Sequence, residues 1–373
     1  MFSRHRALVA YAVTATLVRS ADSGAVVGFV LLATSSPSGP GVAGLLVAAL
    51  TAPHLAAPLL APLLDRTSRP RVILAAAFVL YALSVGAAAL LFSSGQVGLS
   101  AIALVLAGAC GPLHTGGLSS RLGELVSPER EHQRRAQGLD ALTYGLAAAA
   151  GPAVVTLIAA LADPLIGVLT VGVLAAAGSA TLAAMPAMTR ADSSGVRAEA
   201  RRPILRQLAV LFSSGPLRRV TVCTSLTAVA AGAVPILAVA SSAVHGLGGP
   251  GVAAMLASAF GAGTLVGSLI VTARPLRGSP ERAVTGAALG VSAGLVLCAV
   301  APTLALSLAA YAFAGILSAV QFASSLAARA EYSPPDARAQ VFMTMAGLKV
   351  AFSSSGVALA GLVAAGAPMA LLG

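Results

Sequence analysis

Long apolar runs separated by short polar breaks set the pattern of this chain from end to end. A helix crosses a bilayer with about 20 apolar residues. Eleven segments satisfy that length: 7–33, 41–64, 71–93, 97–119, 138–161, 164–187, 219–242, 251–273, 283–301, 303–325 and 340–364. A last run, APMALLG at 367–373, is too short to cross and reads as a C-terminal stub. The breaks alternate in charge. Arg4 and Arg6 precede span 1, and Arg66, Arg69 and Arg71 follow span 2. Arg130, Arg134 and Arg135 follow span 4, Arg274, Arg277 and Arg282 follow span 8, and Arg329 and Arg338 follow span 10. The intervening breaks, such as TSSPSGPG at 34–41 and GLGGPG at 246–251, hold neither Arg nor Lys. Basic loops stay on the cytoplasmic side, so the N-terminus and every even-to-odd connection are expected there, in the plasma or inner membrane of the cell.

One connection is long and polar. Residues 188–218 carry Arg190, Arg197, Arg201, Arg202, Arg206 and Arg218 and contain the basic amphipathic stretch PILRQLAVLFSSGPLRR, expected to lie as a helix along the cytoplasmic surface. This linker divides a six-span bundle, 1–187, from a five-span bundle, 219–373. The halves share traces of a repeat. RAQ occurs at 135–137 and at 338–340, each time after a Ser-Pro pair and at the start of a span. The preceding span holds a Ser-Ser pair in both cases, Ser119-Ser120 and Ser324-Ser325. The repeat calls for a twelfth span, which the sequence lacks, so either the chain is truncated or the protein has lost that helix.

Composition sharpens this picture. Hydrophobic residues make up 57% of the 373 residues and charged residues 9%, against about 25% charged in a soluble domain. The expected class is therefore an all-α polytopic membrane protein. No short apolar core with a small-residue cleavage site marks a removable signal peptide. The net charge of +11 would suggest nucleic acid in a soluble chain. Here the basic loops account for it, and with no Trp and 4% aromatics there is no base-stacking platform, so no nucleic-acid partner is expected. Cys110, Cys223 and Cys298 lie within apolar runs without disulfide or metal-ligand spacing.

The loop after span 2, APLLDRTSRPR at 61–71, resembles the signature loop of the major facilitator superfamily, Gly-x-x-x-Asp-Arg-x-Gly-Arg-x-Arg. Asp65, Arg66, Arg69 and Arg71 match, while Ala61 and Ser68 replace the two glycines. The resemblance implies two pseudo-symmetric helical bundles with alternating access, and it implies that this loop latches the halves on the cytoplasmic side. Asp65 would then face the N-terminal end of span 11, where the helix dipole favours an anion. Arg121 and Glu124, at the cytoplasmic end of span 4, are read into the same network, and Asp140 either joins it or lines the cavity. Gly145 and Gly151-Pro152 in span 5 resemble the helix-kink element of the family's proton-coupled exporters.

Intramembrane polar residues carry the remaining chemistry. Arg19 and Asp22 lie three residues apart in span 1, on one helix face. Either Asp22 is a protonation or cation site with Arg19 as its partner, or the two form a structural ion pair. Lys349, the sole lysine, sits mid-span as a substrate or counter-ion site, or as a structural partner for a carboxylate. His54 and His114 serve as packing residues or proton relays. Tyr144 and Gln321 are cavity candidates. GAGTLVG at 261–267 lacks the strand and the spacing of a nucleotide loop, and small-residue helix packing explains it. No nucleophile–base set suits an enzyme, and no cofactor or metal is expected. The function expected is secondary transport by a monomer: proton-coupled export of a small hydrophobic or amphipathic compound. The alternatives are an uptake symporter or uniporter for a polar metabolite, and a non-transporting scaffold or sensor.

Overall fold

A computed structural model describes residues 2–36, 39–183, 185, 209–212, 214–247 and 250–366. Among them every regular element is helical. The first unit of the fold begins with α1 (Phe2–Thr34), α2 (Gly39–Thr51), α3 (Ala57–Arg66), α4 (Pro70–Ser93) and α5 (Val97–Pro112). The short α6 (Leu118–Arg121) follows, then α7 (Arg130–Leu161) and α8 (Pro164–Ala183). The second set is α9 (Gly215–Gly232), α10 (Val234–Val244), α11 (Pro250–Ala273), α12 (Pro280–Val300), α13 (Leu304–Tyr332) and α14 (Arg338–Gly366). Ten stretches are long and apolar enough to cross a membrane, and the pair α9–α10, bent by 45°, raises the number to as many as eleven. Linker residues 188–208 and the stub 367–373 lie outside the described residues.

The described chain forms two compact units. One comprises Met1–Ala136, Leu146–Val210 and Ser333–Gly347; the other comprises Gln137–Gly145, Leu211–Tyr332 and Leu348–Gly373. In the first, α1 packs on α2 and α8, α4 on α5 and α8, and α2 on α5. Tyr11, Phe29, Phe78, Tyr81 and Leu104 fill the interior. In the second, α13 packs on α11 and α12, and α9 on α12, around Tyr311, Leu256 and Ala314. Large apolar side chains such as Leu83, Val173 and Leu289 face outward, each about two-thirds exposed (67%, 66% and 69%). Outward-facing leucine suits lipid as its solvent.

The helices extend past the apolar runs. Span 10 was expected to end at 325, yet α13 continues to Tyr332 and buries Arg329, which the charge pattern alone assigns to a loop. Hydropathy marks the part of a helix that suits hydrocarbon, whereas the backbone hydrogen-bond ladder continues wherever the next residues tolerate it. Two connections close with left-handed glycines. Gly95 (φ 82°) and Gly246 (φ 60°) each follow a helix end. There Gln96 N–H reaches Leu91 O and Leu247 N–H reaches Ser242 O, both at 2.9 Å, the six-to-one bond of a glycine-terminated helix.

Close helix crossings recur at equivalent spans of both units. A Cβ on Gly151 (α7) would run into the Ser20 carbonyl of α1, and a Cβ on Gly356 (α14) into the Val229 carbonyl of α9. Gly108 meets the Leu50 carbonyl between α5 and α2 in the same manner, and Gly263 the Ala312 carbonyl between α11 and α13. Without a hydrophobic force between helices in lipid, backbone approach at small residues supplies the packing. Gly263→Val and Gly356→Val are each predicted to lower stability by about 1–3 kcal/mol, read as a fall of several degrees in the temperature at which the purified protein loses its monodisperse size-exclusion peak. A variant that keeps the wild-type temperature would show that these contacts are slack.

Candidate functional site

Two non-α turns build the polar centre of the first unit. Span 2 is interrupted by a 3₁₀ turn, Ala52–Ala56, where Pro53 removes a backbone donor. Span 4 is interrupted after Pro112 by a π turn, Leu113–Gly117. The 3₁₀ turn tightens its helix and the π turn widens its own, and both kinds recur at functional positions. The first carries His54 and the second His114.

Asp22 of α1 makes its ion pair with His54, Oδ2 to Nε2 3.7 Å, and not with Arg19. That distance is too long for a direct hydrogen bond and leaves a charge contact. The His54 side chain is nearly closed off (5% exposed), while Asp22 keeps 20% exposure. Two glycines make room for the histidine. A Cβ on Gly111 would collide with its ring, and one on Gly347 of α14 with its carbonyl. His114 stands edge-on to Phe78 and Tyr81 of α4, ring centroids 5.1 and 4.5 Å away. Neither of its ring nitrogens makes a hydrogen bond among the described residues. It remains within electrostatic reach of both Asp22 and His54.

Arg19 turns to span 4. Its guanidinium donates to Ser119 Oγ at 2.9 Å and to the His114 and Thr115 carbonyls at 3.4 and 3.5 Å. The sequence expectation of an Arg19–Asp22 pair is therefore corrected. A π turn leaves carbonyls without helical partners, and a long arginine with five donors reaches them; the short aspartate meets the histidine beside it. Ser119, read from the sequence only as half of a Ser-Ser pair, belongs to the site, and so does Gly111, which the sequence did not single out. The trace Gly111 leaves there is the run GPLHTGG around Pro112.

The loop after span 2 forms a second cluster. Asp65 accepts from the backbone N–H groups of Ala339 and Gln340, 2.9 and 3.0 Å away, at the N-terminal end of α14. Charge and helix dipole act together there. Arg121 lies 3.7 Å from Asp65, pairs with Glu124 at 2.9 Å and donates to the Leu64 carbonyl at 2.6 Å. Arg71 donates to the Met185 carbonyl at 2.7 Å, whereas Arg66 and Arg69 are exposed. Ala61 and Ser68 stand where the signature has glycine. Among the described residues no non-glycine has a positive φ, so neither position demands glycine.

The other predicted residues fall elsewhere. Asp140 and Tyr144 belong to the second unit, where both lie within electrostatic reach of the buried Arg329. The Tyr144 ring is edge-on to Phe322, centroids 4.9 Å apart, and the Lys349 ammonium sits 3.7 Å above the same Phe322 ring. A charge at mid-bilayer costs about 2.5–3.5 kcal/mol on insertion scales, and a desolvated cation over a ring regains about 2 kcal/mol. Gln321 bridges helices by donating to Thr227 Oγ1 at 2.9 Å. α7 runs continuously through Gly145, Gly151 and Pro152 as one helix of 32 residues.

A bundle of membrane-length helices with breaks carrying buried polar groups defines a polytopic carrier. The major facilitator superfamily model matches residues 11–361, and the chain belongs to that family. It is a membrane transporter and not an enzyme. No curated protein matches the sequence. Among solved structures the fold is similar to the Escherichia coli fucose:proton symporter FucP, with TM-score 0.73 and 14% identity over 99% of this chain and 95% of that one. It is also similar to the proton:xylose symporter XylE, with TM-score 0.75 and 14% identity over 98% and 90%. The human organic anion transporter MFSD10 (TETRAN) gives TM-score 0.71 and 14% identity over 95% and 92%.

Asp65→Ala is predicted to destabilise the protein by about 1–3 kcal/mol, since two buried backbone donors and Arg121 lose an anionic acceptor. Asp65→Asn, which keeps one acceptor oxygen, should lose roughly half as much. Thermal unfolding of the purified variants measures both, and equal melting of all three proteins would contradict the contact.

Proposed function

We propose that this transporter exports a small hydrophobic or amphipathic compound in exchange for protons, and that Asp22 with His54 is its proton site. The observation that carries this reading is the placement of Asp22 Oδ2 3.7 Å from His54 Nε2 in the middle of the first unit's spans. A carboxylate and an imidazole at that separation attract each other when both are charged, and whether they are depends on whether Asp22 can reach water. Its partial exposure gives the carboxylate a path to take up or release a proton, while His54 stays enclosed and fixed by Gly111. Protonation of Asp22 removes the charge that draws His54 towards α1 and loosens span 1 from span 2. Arg19 holds span 1 to the π turn of span 4 throughout.

In this reading residues 1–187 and 219–373 are the two bundles that alternate about the cargo, and Asp65 with Arg121 is the switch. Its grip on the start of α14 belongs to one state and is released in the other. The sorted arginines support a cytoplasmic N-terminus in the cell membrane. Export is favoured by the Gly151-Pro152 element of span 5 and by the scarcity of polar side chains within the spans. The chain works as a monomer.

In inside-out vesicles with a pH-gradient dye, one or more of a panel of lipophilic cations, anions and neutral drugs is expected to trigger proton release. Asp22→Asn should abolish that release, and His54→Gln should weaken it. Release that persists in Asp22→Asn would refute the proton site. Proton movement in the reverse sense would convert the exporter into an uptake symporter.

A further inference from the structure

The second unit buries Asp140 and Arg329 and carries Lys349 well inside α14. Asp140 is fully buried, and it lies close enough to Arg329 to attract it. Lys349 lies close enough to Arg329 to be repelled by it. Among the described residues no carboxylate comes within ion-pairing distance of Lys349, whose contact is the face of Phe322 at 3.7 Å. Lys349 is thus a positive charge well inside a membrane span with no ion-pairing acid among the described residues. Lys349 as a residue is half-buried. Beside it, Phe322 and Tyr144 form an apolar wall in edge-to-face contact, 4.9 Å between centroids.

A lysine serving only structure would be expected to face an acid or to snorkel to the interface. Lys349 does neither. Its position, some twelve residues into the 29-residue α14, keeps the ammonium at depth. The ammonium faces no carboxylate among the described residues and rests on an aromatic ring. We propose that Lys349 is an anion-recognising group for the cargo, and that the cargo is an amphipathic organic anion: a carboxylate or sulfonate joined to an apolar or aromatic body. The ammonium takes the acid group, and Phe322 and Tyr144 take the body. This inference rests on the export reading above, and it narrows the cargo from hydrophobic or amphipathic compounds to acidic ones.

The test is equilibrium binding to the purified full-length protein, with no gradient applied. Naphthoate, naphthalenesulfonate and octanoate are compared with the neutral naphthamide and octanamide. The chain has no Trp, so the naphthalene probes are followed by their own fluorescence. Wild-type protein should bind the acids roughly tenfold or more tighter than the matched amides. Lys349→Met should erase that preference and Lys349→Arg should keep most of it. Equal binding of acids and amides by the wild type would overturn the proposal, even if a Lys349 variant failed to fold. So would an acid preference retained in Lys349→Met, or the absence of binding by any acid in the panel. The two readings fail separately. Asp22-dependent proton release without acid-selective binding refutes the anion site alone, and acid-selective binding without proton release refutes the coupling alone.

Discussion

In hydrocarbon a backbone N–H or carbonyl has no water to turn to, and the rest of this structure follows from that constraint. Among the described residues the chain answers it with helices throughout. Two prolines mark where the spans depart from the α-helix. Pro112 is followed by a π turn whose carbonyls receive Arg19, and Pro53 by a 3₁₀ turn that presents His54. The polar centre of the first unit thus sits where its spans stop being ideal helices. Irregular backbone at membrane depth is tolerated only where protein or water surrounds it.

Packing obeys the same constraint in another form. Helices in lipid gain little from hiding apolar surface from one another, so close approach depends on residues without side chains in the way. Gly151 against Ser20 and Gly356 against Val229 place the same crossing in each unit, between the first and fifth spans and between the seventh and eleventh. Gly111 serves chemistry as well as packing, because the space it leaves is filled by the His54 ring.

Charge is distributed by cost. Arg66 and Arg69 are exposed, whereas Asp65, flanked by the buried Arg121 and its partner Glu124, binds the start of a helix far along the chain. Asp65 uses two backbone donors and a helix dipole, which together hold a carboxylate more firmly than a surface ion pair would. Asp22 and Lys349 are arranged differently. Each has one loose neighbour and some exposure, and a charge held that way can respond to a proton or a ligand.

The sequence by itself determined what depends on local sums. Apolar run length located the spans, arginine counts ordered the loops, and DRTSR after span 2 identified the family loop. That Asp65 belongs at the start of span 11 was legible through the family resemblance, and the hydrogen bonds to Ala339 and Gln340 are there. The partners of the intramembrane charges were not legible. Arg19 and Asp22 share a helix face, and nothing in their spacing shows that a π turn offers carbonyls to one and a 3₁₀ turn offers a histidine to the other. Nor does span 11 reveal that Lys349 rests on Phe322, or span 10 that Arg329 is interior. Hydropathy and charge are properties of neighbours along the chain. A side chain's partner depends on which helices lie side by side and where their ladders break, and only the tertiary structure decides that.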